Sequence, residues 1–221
     1  MMTKRYLIIL SIILSIISGI YIILSYFGIT RYWMLKLQNP GTYIEKYSNL
    51  PNMNEKRIVL SFTTTPDNLD KIKPMINSIL DQTIKVNQIA LVTPYHYNGQ
   101  KYDFPPYIKK VANNFPSGKD YGLGTKLIPI LLREKESDTI IIAINDNYIY
   151  GKDFIETIIQ AVQDNPNTVL VDNNHSTIVL KPEYFDSDII NREKDTFNEQ
   201  WFLSKAKNSK VIEYNENYKL F

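Results

Sequence analysis

The chain has 221 residues, 44% of them hydrophobic and 22% charged, which excludes a disordered chain and fits one globular domain beside an apolar segment. Its formal net charge of +2 comes with no long basic run, which argues against nucleic acid as a partner. Cysteine is absent, so neither disulfides nor thiolate metal sites can hold the fold.

From Tyr6 to Ile29 no residue is charged, and Ile and Leu dominate. As a helix this stretch would reach about 36 Å, enough to cross a bilayer with some tilt. Ser18-Gly19 lies in its middle and apolar residues continue beyond it, which reads as a retained anchor rather than a cleaved signal peptide. Lys4 and Arg5 on one side nearly balance Arg31 and Lys36 on the other. The expected topology is single-pass type II, with residues 1–5 as a short cytoplasmic tail, 6–29 as the anchor and the C-terminal domain on the non-cytoplasmic side. Residues 30–56, with Pro40-Gly41 and Pro51, read as a stalk with little core, and 57–221 as the folded domain.

Arg57 to Phe62 is a short β-branched apolar run that enters the loop Thr63-Thr64-Thr65-Pro66, the pattern of a buried strand. Ile72, Met75, Ile76, Ile79 and Leu80 recur at helical spacing, with Pro74 in the first turn where it costs little. Gln88 to Thr93 is a second strand, so the order strand, helix, strand implies a right-handed parallel crossover. After two loops, the turn Asp120 to Gly124 leads into a helix over Thr125 to Arg133. Thr139 to Ile144 is the most hydrophobic strand of the domain and is expected at the sheet centre, buried on both faces. A helix from about Asp153 to Asp164 follows, then short strands at Thr168 to Val171 and Thr177 to Leu180, a helix at Asn198 to Lys207 and a strand at Lys210 to Tyr214. The fold class is therefore α/β: a single doubly wound, mostly parallel sheet preceded by one transmembrane helix.

In open α/β sheets ligands bind beyond the carboxyl ends of the strands. Asn145-Asp146-Asn147, where the most buried strand ends, is the first candidate site, because a carboxylate there can meet a hard divalent cation and the phosphates it carries. The bland alternative is a polar turn that merely caps the strand. Gly122-x-Gly124-Thr125-Lys126 fits neither phosphate-loop spacing nor a dinucleotide fingerprint.

An ordered set of short motifs adds to this: Thr63-Thr64-Thr65-Pro66-Asp67-Asn68, Ser78-Ile79-Leu80-Asp81-Gln82, Thr93-Pro94-Tyr95, Asp120-Tyr121-Gly122-Leu123-Gly124-Thr125-Lys126, Asn145-Asp146-Asn147-Tyr148-Ile149-Tyr150 and Glu199-Gln200-Trp201-Phe202-Leu203-Ser204. In that order they resemble a family of type-A-fold glycosyltransferases whose acidic motif is D-D-D-x-x-Y. The resemblance implies a type-A, Rossmann-like sheet and transfer of a sugar from a nucleotide-diphosphate sugar to a glycan, lipid or protein acceptor. It implies that Thr63, Thr65 and Pro66 lie over the base and ribose, and that Asp120, Gly122 and Lys126 approach the ribose or diphosphate. Asn145 joins this donor-binding set, while Asp146 and Asn147 would hold a divalent cation, Mn²⁺ or Mg²⁺. Asp146 and Glu199 would be catalytic, Glu199 as general base on the acceptor side. The chain departs from the family where Asn145 and Asn147 replace acids and where Gln200 replaces another. A site with one carboxylate should hold the cation more weakly, so a competing reading is a catalytically weak or inactive module that binds a glycan or a protein. His175 could be an acceptor contact or a ligand, and His96 reads as a surface residue.

Overall fold

The structure is a computed structural model, and it describes residues 2–51, 55–118, 120–172, 176–185, 204–206 and 210–214. Helix α1 (Met2–Tyr26) is continuous through the apolar stretch. Its segment Lys4–Tyr26 is long and apolar enough to cross a membrane, and no residue of its most apolar stretch is buried. Gly28, at a φ of 72°, adopts the left-handed conformation that a side chain would strain, and it breaks the helix before α2 (Ile29–Leu37). Helix α3 (Pro40–Ser48) follows, with Asn39 as its cap: the Gly41 N–H donates to Asn39 Oδ1 at 2.9 Å.

These two helices correct the expectation of a stalk with little core. Leu35 on α2 and Tyr43 and Tyr47 on α3 are buried in the main hydrophobic cluster. The Asn77 amide donates to the Leu35 carbonyl at 2.8 Å, and the Val86 N–H donates to the Tyr47 hydroxyl at 2.9 Å. The sequence pattern hid this because the three apolar contacts are separated by the polar turn at Gln38-Asn39 rather than repeated along one long helix.

The domain is built on a seven-stranded sheet in the order β5-β2-β1-β6-β8-β7-β9. Its strands are β1 (Ile58–Phe62), β2 (Gln88–Thr93), β5 (Asn113–Pro116), β6 (Ile140–Ile144), β7 (Thr168–Asp172), β8 (Thr177–Leu180) and β9 (Lys210–Tyr214). Every neighbouring pair is parallel except the two made by β8, which runs antiparallel to β6 and β7. A small separate hairpin joins β3 (His96–Tyr97) to β4 (Gln100–Lys101). Asn98 and Gly99 both have positive φ there, as a tight two-residue hairpin turn requires.

The strands alternate between two cores. Ile58, Leu60 and Phe62 of β1 and Ile140, Ile142 and Ile144 of β6 point into one cluster; Val59, Ile141 and Ala143 point into the other. Each fully buried aliphatic side chain contributes about 1.5–3 kcal/mol, so β6, buried along its whole length, is a main anchor of the sheet. On the first face lie α2, α3, α4 (Lys73–Leu80), α5 (Pro106–Val111) and α7 (Phe154–Asp164), which supply Leu35, Tyr43, Ile76, Ile108 and Ile158. On the second lies α6 (Ile128–Arg133), which supplies Ile130.

This division places the site. The chain runs outward from β1 to β2 to β5 through α4 and α5 on one face, then returns through α6 on the other to add β6 at the opposite side of β1. The direction of strand addition reverses between β1 and β6, and a crevice opens at their carboxyl ends. The expected strands at 57–62, 88–93, 139–144, 168–171, 177–180 and 210–214 are present within a residue at each end, and the α/β class and mostly parallel sheet are as expected. The helix expected over 125–133 is shorter, because Gly122–Lys126 forms a tight turn of 3-10 helix and only Ile128–Arg133 is α-helical. The helix expected at 198–207 falls mostly outside the described residues.

Candidate functional site

Three loops meet at the carboxyl ends of β2, β1 and β6. The loop after β1 places Thr64 so that its hydroxyl donates to Asp146 Oδ2 at 2.7 Å. Pro66–Asn68 forms a single turn of 3-10 helix, which brings the Asn68 amide to 3.5 Å from the same oxygen. The two segments are eighty-two residues apart in the chain at Thr64 and Asp146, yet they share one carboxylate.

Asp146 lines a cleft of about 360 Å³ together with Thr63, Thr65, Tyr102, Asp120 and Gly122. Of the residues expected to bind the donor, Thr63, Thr65, Asp120 and Gly122 are therefore gathered around Asp146, and three others are not at its wall. Pro66 starts the 3-10 turn behind Thr65. Asn145 and Lys126 form an inner layer, with the Lys126 ammonium donating to Asn145 Oδ1 at 2.5 Å.

Lys126 is 3% exposed, which corrects the bland alternative of a solvated lysine at a helix start and sets it behind the residues that line the cleft. A lysine so deeply placed needs polar partners around its charge. Asn145 is one, and Ser61 on β1 fixes the backbone by donating to the Lys126 carbonyl. Asp120 shapes the preceding turn by accepting from the Gly122 N–H at 2.8 Å, and Gly122 takes a φ of 60° that favours glycine.

The loop after β6 is fixed from below. The buried Tyr150 folds back so that its hydroxyl donates to the Asn145 carbonyl at 2.9 Å and accepts from the Asn145 N–H at 3.1 Å. Burial pushes that hydroxyl well above the ordinary tyrosine range, so it stays a proton donor. The Tyr150 N–H donates to Ser78 Oγ at 3.1 Å. Gln82, 2% exposed, donates to the Ser78 and Gly151 carbonyls and accepts from the Ile155 N–H at 3.0 Å. The spacing between Ser78 and Gln82 is thus that of one helical turn used as a clamp on the loop carrying Asp146. Replacing Gln82 by Leu leaves the Ile155 N–H without a partner and should cost roughly 2 kcal/mol. The expected fall in melting temperature is about 4–8 °C; an unchanged melting curve would show that the clamp is not used.

Arg31 extends this clamp to helix α2. Its Nε donates to Asp81 Oδ2 at 3.0 Å and its Nη1 to the Tyr150 carbonyl at 2.9 Å, while Lys46 meets Asp81 Oδ1 at 2.9 Å. Sequence reading missed Thr64, Asn68, Tyr150 and Arg31 as site-building residues. The first three stand inside the quoted motifs, so the signal was present. Arg31 carried no local signal, because its partners are fifty and 119 residues away.

Tyr102 follows the Asn98-Gly99 hairpin and donates its hydroxyl to the Thr64 carbonyl at 3.1 Å. Burial first, then the Asp120 carboxylate and the Tyr97 phenol, push it up to about 12 from its ordinary 10.0. Burial likewise pushes Tyr47 up to about 12. Both phenols hold their protons more firmly in the folded chain, so their contribution to stability is complete below pH 10 and is lost as pH rises through 12. Following phenolate absorbance in that window, Tyr102→Phe and Tyr47→Phe should each remove one late-titrating phenol. Curves identical to wild type would contradict the assignment.

The donor set for a divalent cation is thin. Asp146 Oδ2 already accepts from Thr64, Asn145 Oδ1 is taken by Lys126, and Asn147, beside Asp146 in a neighbouring cleft, offers only a neutral amide. Among the described residues no group of three or more His, Cys, Asp or Glu side chains comes together. These residues do not fit a resident metal ion. Glu199, Gln200 and His175 lie outside the described residues, and His96 is exposed on the hairpin as expected.

No protein-family model matches the chain, and no curated protein matches it either. The functional reading therefore rests on the residues and their geometry.

Proposed function

We propose that this protein is a membrane-anchored glycosyltransferase that moves a sugar from a nucleotide-diphosphate sugar to an acceptor, with the domain on the non-cytoplasmic side. One observation carries the reading: the Thr64 hydroxyl and the Asp146 carboxylate, from loops on either side of the switch in strand order, are hydrogen-bonded at 2.7 Å at the mouth of a cleft that also holds Thr63, Thr65, Asp120 and Gly122. The ordered motifs of the type-A family account for most of these residues. The aromatic wall of Tyr97 and Tyr102 suits a flat base or a sugar face.

In the proposed reaction an acceptor oxygen bonds to the anomeric carbon of the donor sugar while the bond from that carbon to the diphosphate oxygen breaks. The bonding pair leaves with the nucleoside diphosphate. Asp146 takes the proton from the acceptor hydroxyl, and Thr64 and Asn68 hold its carboxylate in place by donating to Oδ2. Buried positive charge at Lys126, held beneath the loop by Asn145, favours the anionic donor. A divalent cation, Mn²⁺ or Mg²⁺, would come with the donor diphosphate rather than as a resident cofactor. Glu199 remains the alternative general base of this proposal.

The test is thermal shift of the detergent-solubilised chain against a panel of nucleotide sugars, with and without Mn²⁺, followed by product analysis. Stabilisation by nucleotide sugars and not by free sugars supports the reading. No shift and no turnover with any of them would favour the second reading, a non-catalytic binding module, which the loss of two acids at Asn145 and Asn147 motivates.

A further inference from the structure

A second cleft of about 360 Å³ meets the first at Asp146 and Asn68. Its far wall belongs to the membrane-proximal helix: Tyr32 and Lys36 of α2 face Lys71 and Met75 across it. We infer that this second cleft binds the headgroup of an anionic phospholipid drawn from the membrane in which α1 sits, and that this lipid is the acceptor. The inference rests on the transferase reading for the chemistry but on separate residues for the binding.

Three observations carry it. The first is charge. Lys36 and Lys71 are exposed at the cleft, and neither makes an ion pair among the described residues, since the acids that are paired meet Arg31, Lys46, Lys56, Arg57 and Lys181. Lys36 instead lies over the Tyr32 and Trp33 rings at 5.7 and 5.3 Å, and Tyr32 lines the same cleft. Two lysines facing one carboxylate leave the cleft with net positive charge, suited to a phosphate.

The second is position. Helix α2 begins three residues after α1 ends, and Lys36 stands about 10 Å along it. Even with α2 standing upright, that puts Lys36 near the outer edge of the headgroup layer, which extends about 5–8 Å above the hydrocarbon core. The third is the surface beside the cleft. Trp33, Met34 and Leu37 on the same helix are 48%, 50% and 71% exposed, an apolar and aromatic rim of the kind that settles at a bilayer interface. A headgroup phosphate between Lys36 and Lys71 places a hydroxyl of the same headgroup toward Asp146, at the junction of the two clefts. That oxygen bonds to the anomeric carbon, its proton passes to Asp146, and the electron pair of the broken bond leaves with the diphosphate.

The full chain in phosphatidylcholine nanodiscs containing a trace of photoreactive phosphatidylglycerol tests this, with cross-links mapped by mass spectrometry. Labelling should concentrate on the peptides carrying Lys36 and Lys71. It should fall about five-fold for Lys36→Gln or Lys71→Gln and roughly 30-fold for both, at about 1 kcal/mol of headgroup attraction per lysine. Lys109→Gln, at an exposed lysine on α5, serves as the control and should change nothing. Labelling unchanged in the double variant, or displaced equally by inorganic phosphate, overturns the inference. Because the readout is binding, this failure is distinct from failure of the transferase reading, which the nucleotide-sugar thermal shift reports.

Discussion

Replacing Asp146 by Ala should lower sugar transfer by about 10²–10⁴-fold while leaving the fold intact. The magnitude is that of a positioned proton acceptor removed from the reacting centre. The fold survives because Asp146 is only half-buried, so water entering from the open cleft can replace it as acceptor for Thr64 and Asn68. The melting temperature should move by no more than about 4 °C. Asp146→Asn sharpens the result, because an amide keeps the size and can still accept from Thr64 but takes up no proton at neutral pH. Turnover unchanged in both variants would remove Asp146 from the chemistry and with it the proposed mechanism.

The largest effect on stability is expected at a residue that the sequence places in a stalk. Leu35→Ala should destabilise the chain by about 2–5 kcal/mol, the range for truncating a fully buried leucine. At this chain length that is a drop of about 4–20 °C in melting temperature. The side chain is 0% exposed, and the adjacent backbone carbonyl accepts from Asn77 on α4. A stalk residue outside the core would show almost no change on the same substitution, so melting of the detergent-solubilised variant separates the two descriptions. Truncation at residue 56 should be worse still, since it strips Asp81 of both of its cationic partners, Arg31 and Lys46.

The sheet was legible because its strands are short, β-branched and punctuated, as at Ile140–Ile144 and Gln88–Thr93. Strand β5 was not, because Asn113-Asn114-Phe115-Pro116 is an edge strand with little burial, and its pairing to β2 comes from the sheet rather than from its own residues. The hairpin at Asn98-Gly99 carried a readable turn signal that the polar residues around it obscured. At the site, Asp146 could be found from its place after the most buried strand. Lys126 could not be assigned to the inner layer, because nothing local distinguishes a lysine that holds Asn145 from one that reaches solvent. Burial of that kind is decided by β1 and α6 together, through Ser61 and the turn before α6.

The bonds from Arg31 to Asp81 and to the Tyr150 carbonyl join α2, the helix that follows the apolar α1, directly to the loop that carries Asp146. Such a joint denies the domain the freedom of a tethered ball. Under the proposed lipid acceptor, this joint would set the height and tilt at which the cleft meets the bilayer, and lateral diffusion in two dimensions, rather than encounter from the bulk, would govern how often a lipid reaches it. Reaction velocity should then scale with the mole fraction of acceptor in the lipid phase and fall when added detergent dilutes that phase at constant total concentration.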